Sequence, residues 1–164
     1  MLRNRTLEYT GKYIEMAEQF RKNGLDEYMI ERFIRQIVDE IAKDQNVDLV
    51  DATQVKEKDL TEYDAIGFAS GIYYGKFHQT VLNFAAINLP QEKKVFLICT
   101  HGGSAAFQSM EAILEGKNAK LIGKFSCKGY DTYGPFKLVG GIAKGHPDEK
   151  DLTAAVDFYK GITK

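Results

Sequence analysis

Cysteine is scarce in this chain: Cys99 and Cys127 are the only two among 164 residues, with no CxxC and no ligand cluster beside them. That argues against a disulfide scaffold and against a zinc site, and it fits a reducing compartment. The chain also lacks an excess of either charge. Lys and Arg number 22 against 23 Asp and Glu, for a net charge of -1, and no basic run stands out. Duplex nucleic acid is therefore not an expected partner. No apolar run approaches the ~18 residues a membrane span requires. The opening Met1, Arg3, Asn4 and Arg5 lead into charged, helix-like sequence without an apolar signal core, so a cytoplasmic protein with no membrane insertion is expected. Two nucleotide fingerprints are missing as well. No GxGxxG follows a strand pattern. The stretch from Gly71 to Phe77 imitates a nucleoside-triphosphate loop, but it has one residue too few between its glycines and Phe77 where the magnesium-binding Ser or Thr belongs.

What is present suits one globular domain spanning residues 1–164. A chain of this size, with 44% hydrophobic and 27% charged residues, can bury about 70% of its unfolded surface. From Thr6 to Phe20 apolar residues recur at helical spacing until Asn23-Gly24 stops them. Asp26 is placed to cap a second helix running to about Lys43, with Met29, Ile30, Phe33, Ile34, Ile37, Val38 and Ile41 as its apolar stripe. After Gln45-Asn46 the pattern changes to short apolar runs. Val47–Ala52 alternates as a half-buried edge strand would, whereas Asp64–Ser70 and Lys94–Thr100 are nearly continuous, as for strands covered on both faces. Ala119–Ser126 is a fourth strand. Helical stretches near Phe77–Ala86, Ser104–Glu115 and Asp148–Ile162 separate the later runs, and such alternation predicts an α/β fold with a parallel sheet.

Ligands of such sheets bind beyond the carboxyl ends of the strands. The first loop there, Ser70-Gly71-Ile72-Tyr73-Tyr74-Gly75, combines glycines that admit close approach with two aromatics able to stack on a flat ring. The second, Thr100-His101-Gly102-Gly103, runs to Ser104 at an expected helix N-terminus, whose backbone N–H groups favour electron-rich oxygens. Together they can sandwich a planar heterocycle. Taken singly, each loop also reads as an ordinary turn. A third, long loop from Cys127 to Asp148 reads equally as a site rim carrying Tyr130 or Tyr133 and as a packing cover. His146-Pro147-Asp148 reads as a turn and cap leading into the last helix. Cys99 reads as core, and Cys127 reads as structural.

From about Val47 to Ile162 the chain resembles the flavodoxin family, most clearly in YDAIGFASGIYYGKFHQTVLNF, KKVFLICTHGG and FSCKGYDTYGPFKLVGGIAKGHPDEKDL. The first stretch is also similar to the flavodoxin-like, quinone-dependent protoporphyrinogen dehydrogenases. The resemblance implies a three-layer fold with a parallel sheet in the order 2-1-3-4-5, or the same sheet lacking its first strand. It further implies non-covalent FMN, electron transfer to a redox partner protein or small-molecule acceptor, and no catalytic side chain. Carried over residue by residue, Ser70, Gly71, Ile72, Tyr73, Tyr74 and Gly75 would pack on the flavin ring, and Thr100, His101, Gly102 and Gly103 would line its other side. The redox chemistry would belong to the cofactor.

The first third departs from that pattern. A flavodoxin opens with a buried strand and a hydroxyl-rich phosphate loop, whereas Gly24-Leu25-Asp26-Glu27-Tyr28 brings two acids to the corresponding place. Thr10 and Gly11 would be the remnant of that loop if Leu7–Tyr13 is a shortened strand and turn. Replacement of the strand by an extra N-terminal helix fits Thr6–Phe20 better. Two functions follow. One is a flavin-dependent electron carrier or small oxidoreductase, with the quinone-coupled dehydrogenase as a variant. The other is a flavodoxin-shaped module that has lost FMN and binds a partner. Loss of a central strand also leaves a slot that a second copy could fill, as a homodimer.

Overall fold

The computed structural model describes residues 26–43, 47–130 and 138–163. The expected helix at Thr6–Phe20 and the candidate loop residues Thr10 and Gly11 lie outside the described residues. Helix α1 spans Asp26–Ala42 and is followed by irregular chain to strand β1, Ala65–Tyr73. Strand β2 is Lys76–Phe77, α2 Gln79–Asn88, β3 Lys94–His101, α3 Gln108–Gly116, β4 Lys120–Lys128 and α4 Glu149–Ile162. The sheet runs β2-β1-β3-β4, with β1, β3 and β4 parallel and β2 antiparallel to β1. This is the expected α/β class, with helices on both faces.

Strand β3 is central, and Val95 to Thr100 are all buried. Its side chains alternate between two cores, as the strand repeat dictates. Val95, Leu97 and Cys99 join Ile66, Phe68 and residues of α2 and α3 such as Val81, Phe84, Met110 and Leu114. Phe96 and Ile98 join Ile34, Ile37, Val38 and Ile41 of α1 and Ala155 and Tyr159 of α4 on the other face. Along β1 the side facing α1 carries Gly67, Ala69 and Gly71, and these small residues let the helix lie close to the sheet.

Between β3 and β4 the register shifts at Val95/Phe96, so that Phe96 pairs with Gly123 instead of Ile122. A Cβ on Gly123 would sit 2.8 Å from Phe158 Cε2, so the absent side chain is what admits the α4 ring. Phe158 also meets Phe96 edge-on, ring centroids 6.2 Å apart, and Phe125 at 5.7 Å.

Three sequence expectations are corrected. Val47–Ala52 forms no strand. Asp51 instead accepts hydrogen bonds from the Thr53 amide (2.8 Å) and hydroxyl (2.6 Å), and its own carbonyl accepts from Gln54 and Val55, which bends the chain into a turn. Among the described residues no strand offers it a ladder. The supposed loop from Ser70 to Gly75 is largely strand and hairpin: β1 continues to Tyr73, and Tyr74 (φ 50°) and Gly75 (φ 75°) make the two-residue turn into β2. Helix α3 starts at Gln108, not Ser104, which lengthens the preceding loop. The proposed cap at Asp148 is found. Its carboxylate accepts from the Lys150 and Asp151 amides while Asp151 reaches back to the Asp148 amide, a full capping box.

Replacing Gly123 with Val forces Phe158 out of its slot and is expected to destabilise the fold by about 1–3 kcal/mol, read from urea midpoints at unchanged slope.

Candidate functional site at the carboxyl ends of the strands

The parallel strands end together, and their ends bring the expected ring loops to one place. A narrow crevice there is lined by Ile72 from β1, Thr100, His101 and Gly102 from β3 and its loop, Gly129 after β4, and Phe33 from α1. The Gly129 amide donates to the His101 carbonyl at 3.0 Å, which extends the β3–β4 pairing to the mouth of the crevice. A Cβ on Gly129 would stand 3.3 Å from the Phe33 ring and 3.5 Å from Thr100 Cβ, so the glycine lets helix and strand ends close together.

The residues expected at the ring divide into interior and surface groups. Ser70 and Gly71 are buried in β1; Ser70 Oγ donates to the Gly71 carbonyl (2.6 Å) and accepts from the His78 amide (2.9 Å), fixing the return of the hairpin. Thr100 is fully buried, and its hydroxyl has no hydrogen-bond partner among the described residues. Ile72 and Tyr73 are half-buried, and the Tyr73 ring meets the His78 ring edge-on at 5.1 Å. Tyr74 stands at the hairpin tip, 82% exposed. A Cβ added at Gly75 or at Gly103 would meet nothing within 4 Å, so backbone is open to an approaching ligand at both.

One charged group that sequence reasoning passed over completes the site. Lys128, the last residue of β4, donates its ammonium to the Gly103 carbonyl at 2.7 Å and the Gly102 carbonyl at 3.2 Å. Its only sequence signal is its place at the end of an apolar run. Phe33 was visible merely as part of the α1 stripe. Burial lowers the His101 pKa below the ordinary imidazole value and the nearby Lys128 charge lowers it further, which outweighs the hydrogen bond to Gly103. His101 is therefore neutral at neutral pH. His78 serves as the α2 cap, its Nδ1 accepting from the Thr80 amide at 3.3 Å. Tyr130 is tied down by its hydroxyl to the Gly140 carbonyl (2.9 Å) and its amide to the His146 carbonyl (3.2 Å), while Tyr133 lies outside the described residues.

An open, doubly wound α/β sheet whose loops gather glycine, aromatic rings and a neutral imidazole at its carboxyl edge defines a protein of the flavodoxin-like class. Residues 34–128, more than half of the chain, match the family model described as Flavodoxin domain, and the chain belongs to that family. It is 39% identical, over 76% of its own length and 85% of the relative's, to an uncharacterised protein of Methanocaldococcus jannaschii. Among solved structures it is similar to the oxidised Flavodoxin 2 from Bacillus cereus, at 17% identity and a TM-score of 0.54, with 97% of each chain covered. It is also similar to a flavodoxin from the domain Archaea, at 14% identity and a TM-score of 0.50, covering 98% of this chain and 99% of the other. Among the described residues no helix is long and apolar enough to cross a membrane.

Both cysteines are buried, and burial pushes each thiol up to about 12, with Asp151 and then Cys99 adding to the effect at Cys127. At pH 8 the thiolate fraction is on the order of one in ten thousand. Ellman's reagent is expected to label neither thiol in the folded protein at that pH and both after denaturation. Rapid labelling of the native protein would mean that the strand ends open.

Proposed function

We propose that the protein binds FMN non-covalently at the carboxyl edge of the sheet and transfers electrons to a redox protein or small-molecule acceptor. The observation that carries this reading is the convergence of Ile72 with Thr100, His101 and Gly102 at one crevice mouth, beside open backbone at Gly103 and with Tyr73 as the next residue of β1 after Ile72. These residues fit a flat heterocycle. Aromatic and aliphatic faces supply stacking, the neutral imidazole and the buried Thr100 hydroxyl supply hydrogen bonds, and glycine admits close approach. When bound, the flavin would supply the redox chemistry, while this chain binds, orients and shields the ring.

The phosphate end fits less well. Helix α1 opens with Asp26 and Glu27, and two acidic residues at a helix N-terminus disfavour a phosphate there. The ring therefore supplies most of the affinity. Titrations followed by flavin fluorescence are expected to give FMN and riboflavin dissociation constants within about tenfold of each other. A Tyr73→Ala variant is expected to weaken both about fivefold, which corresponds to ~1 kcal/mol of lost ring contact. The narrowness of the crevice between Phe33 and Gly129 favours a second reading, a flavodoxin-shaped interaction module without cofactor. Absence of saturable quenching by FMN, riboflavin and FAD would establish that reading and dismiss the first.

A further inference from the structure

We infer that His101 selects the ligand of this site, presenting Nε2 as a fixed hydrogen-bond acceptor to a heterocycle that carries an N–H at its edge; this rests on the flavin reading above. His101 Nδ1 lies 3.2 Å from the Gly103 carbonyl oxygen. A carbonyl can only accept, so Nδ1 bears the hydrogen and donates it. In the neutral ring the other nitrogen is then a bare lone pair. Nε2 makes no hydrogen bond among the described residues, and the imidazole stands beside Ile72 and Gly102 at the crevice.

Lys128 makes this arrangement rigid. Its ammonium shares the Gly103 carbonyl with His101 and also holds that of Gly102, so β4 is tied to the loop after β3 through the group that sets the histidine tautomer. The same contacts orient the neighbouring amides. With both carbonyls turned toward Lys128, the planar trans peptides turn the Gly103 and Ser104 N–H groups away from it. Neither N–H has a partner among the described residues, and both residues are exposed. These amides point away from the imidazole that shares the Gly103 carbonyl, so the recognising group is Nε2 alone, an acceptor that matches a heterocycle edge carrying an N–H. The isoalloxazine ring carries such an edge. A ligand that lacks the N–H would leave the imidazole lone pair covered but unpaired, and this penalty is the source of selection.

Two experiments on the full-length protein test the inference. Nitrogen-resolved NMR of the ligand-free protein at pH 7.5 is expected to find His101 as the Nδ1–H tautomer, and an Nε2–H tautomer would overturn the proposal. Titration with riboflavin and N3-methylriboflavin is expected to show a preference of about three- to tenfold for the N–H form in the wild type. That preference should fall to about one in His101→Leu and return in His101→Gln, whose amide oxygen can accept. Equal affinity for the two flavins in the wild type, or a preference that survives in His101→Leu, would overturn the proposal while leaving flavin binding intact. Failure of the wild type to bind either flavin would remove the flavin reading and this inference together.

Discussion

A strand paired on both edges and covered on both faces can reach solvent only at its ends, and β3 is held in that condition from Val95 to Thr100. The parallel ladders that flank it oblige β1, β3 and β4 to finish on the same side, so three connections, with their glycines and aromatics, are delivered to one edge. Nothing in the individual loops would assemble a site without this. Thr100, a hydroxyl residue on the last buried rung, marks where the apolar interior gives way to groups that can recognise a ligand.

The two cores reinforce this directionality unequally. On the α2/α3 face the strands present large side chains, Ile66, Phe68, Val95 and Leu97, and helices ride over a filled layer. On the α1/α4 face β1 presents glycine and alanine, so α1 comes down onto the backbone and carries Phe33 into the crevice wall. The aromatic set of Phe96, Phe125, Phe158 and Tyr159 fills the space farther along the sheet. The site is therefore bounded on one side by a helix whose approach depends on small residues far from any loop.

Much of this is legible in the sequence alone. Continuous apolar runs announce β1, β3 and β4, and the stripe from Met29 to Ile41 announces α1, because full burial and helical periodicity leave strong marks on sequence. Val47–Ala52 misleads because its alternation does not track burial: Val50, Asp51 and Ala52 are buried in succession and Leu49 is exposed, and the local Asp51–Thr53 hydrogen bonds decide the backbone. The hairpin escapes notice because its first left-handed position is a tyrosine, a residue type that carries no turn signal. In the site, glycines and rings are visible as composition, but the tie from Lys128 to Gly102 and Gly103 joins residues distant in sequence, and no local pattern encodes it.

That tyrosine bears on how the protein balances robustness against use. The two-residue turn between β1 and β2 has φ of 50° at Tyr74, where asparagine or glycine would rest without strain. An aromatic side chain held there is locally disfavoured, and at 82% exposure it gains almost nothing from burial. Conformational energy is thus stored at the tip of the hairpin, where a broad ring stands in the solvent. Position 74 is accordingly a point of trade-off: selection for thermal resistance alone would drift it toward asparagine, and any gain in stability there would come at the expense of the surface the ring provides.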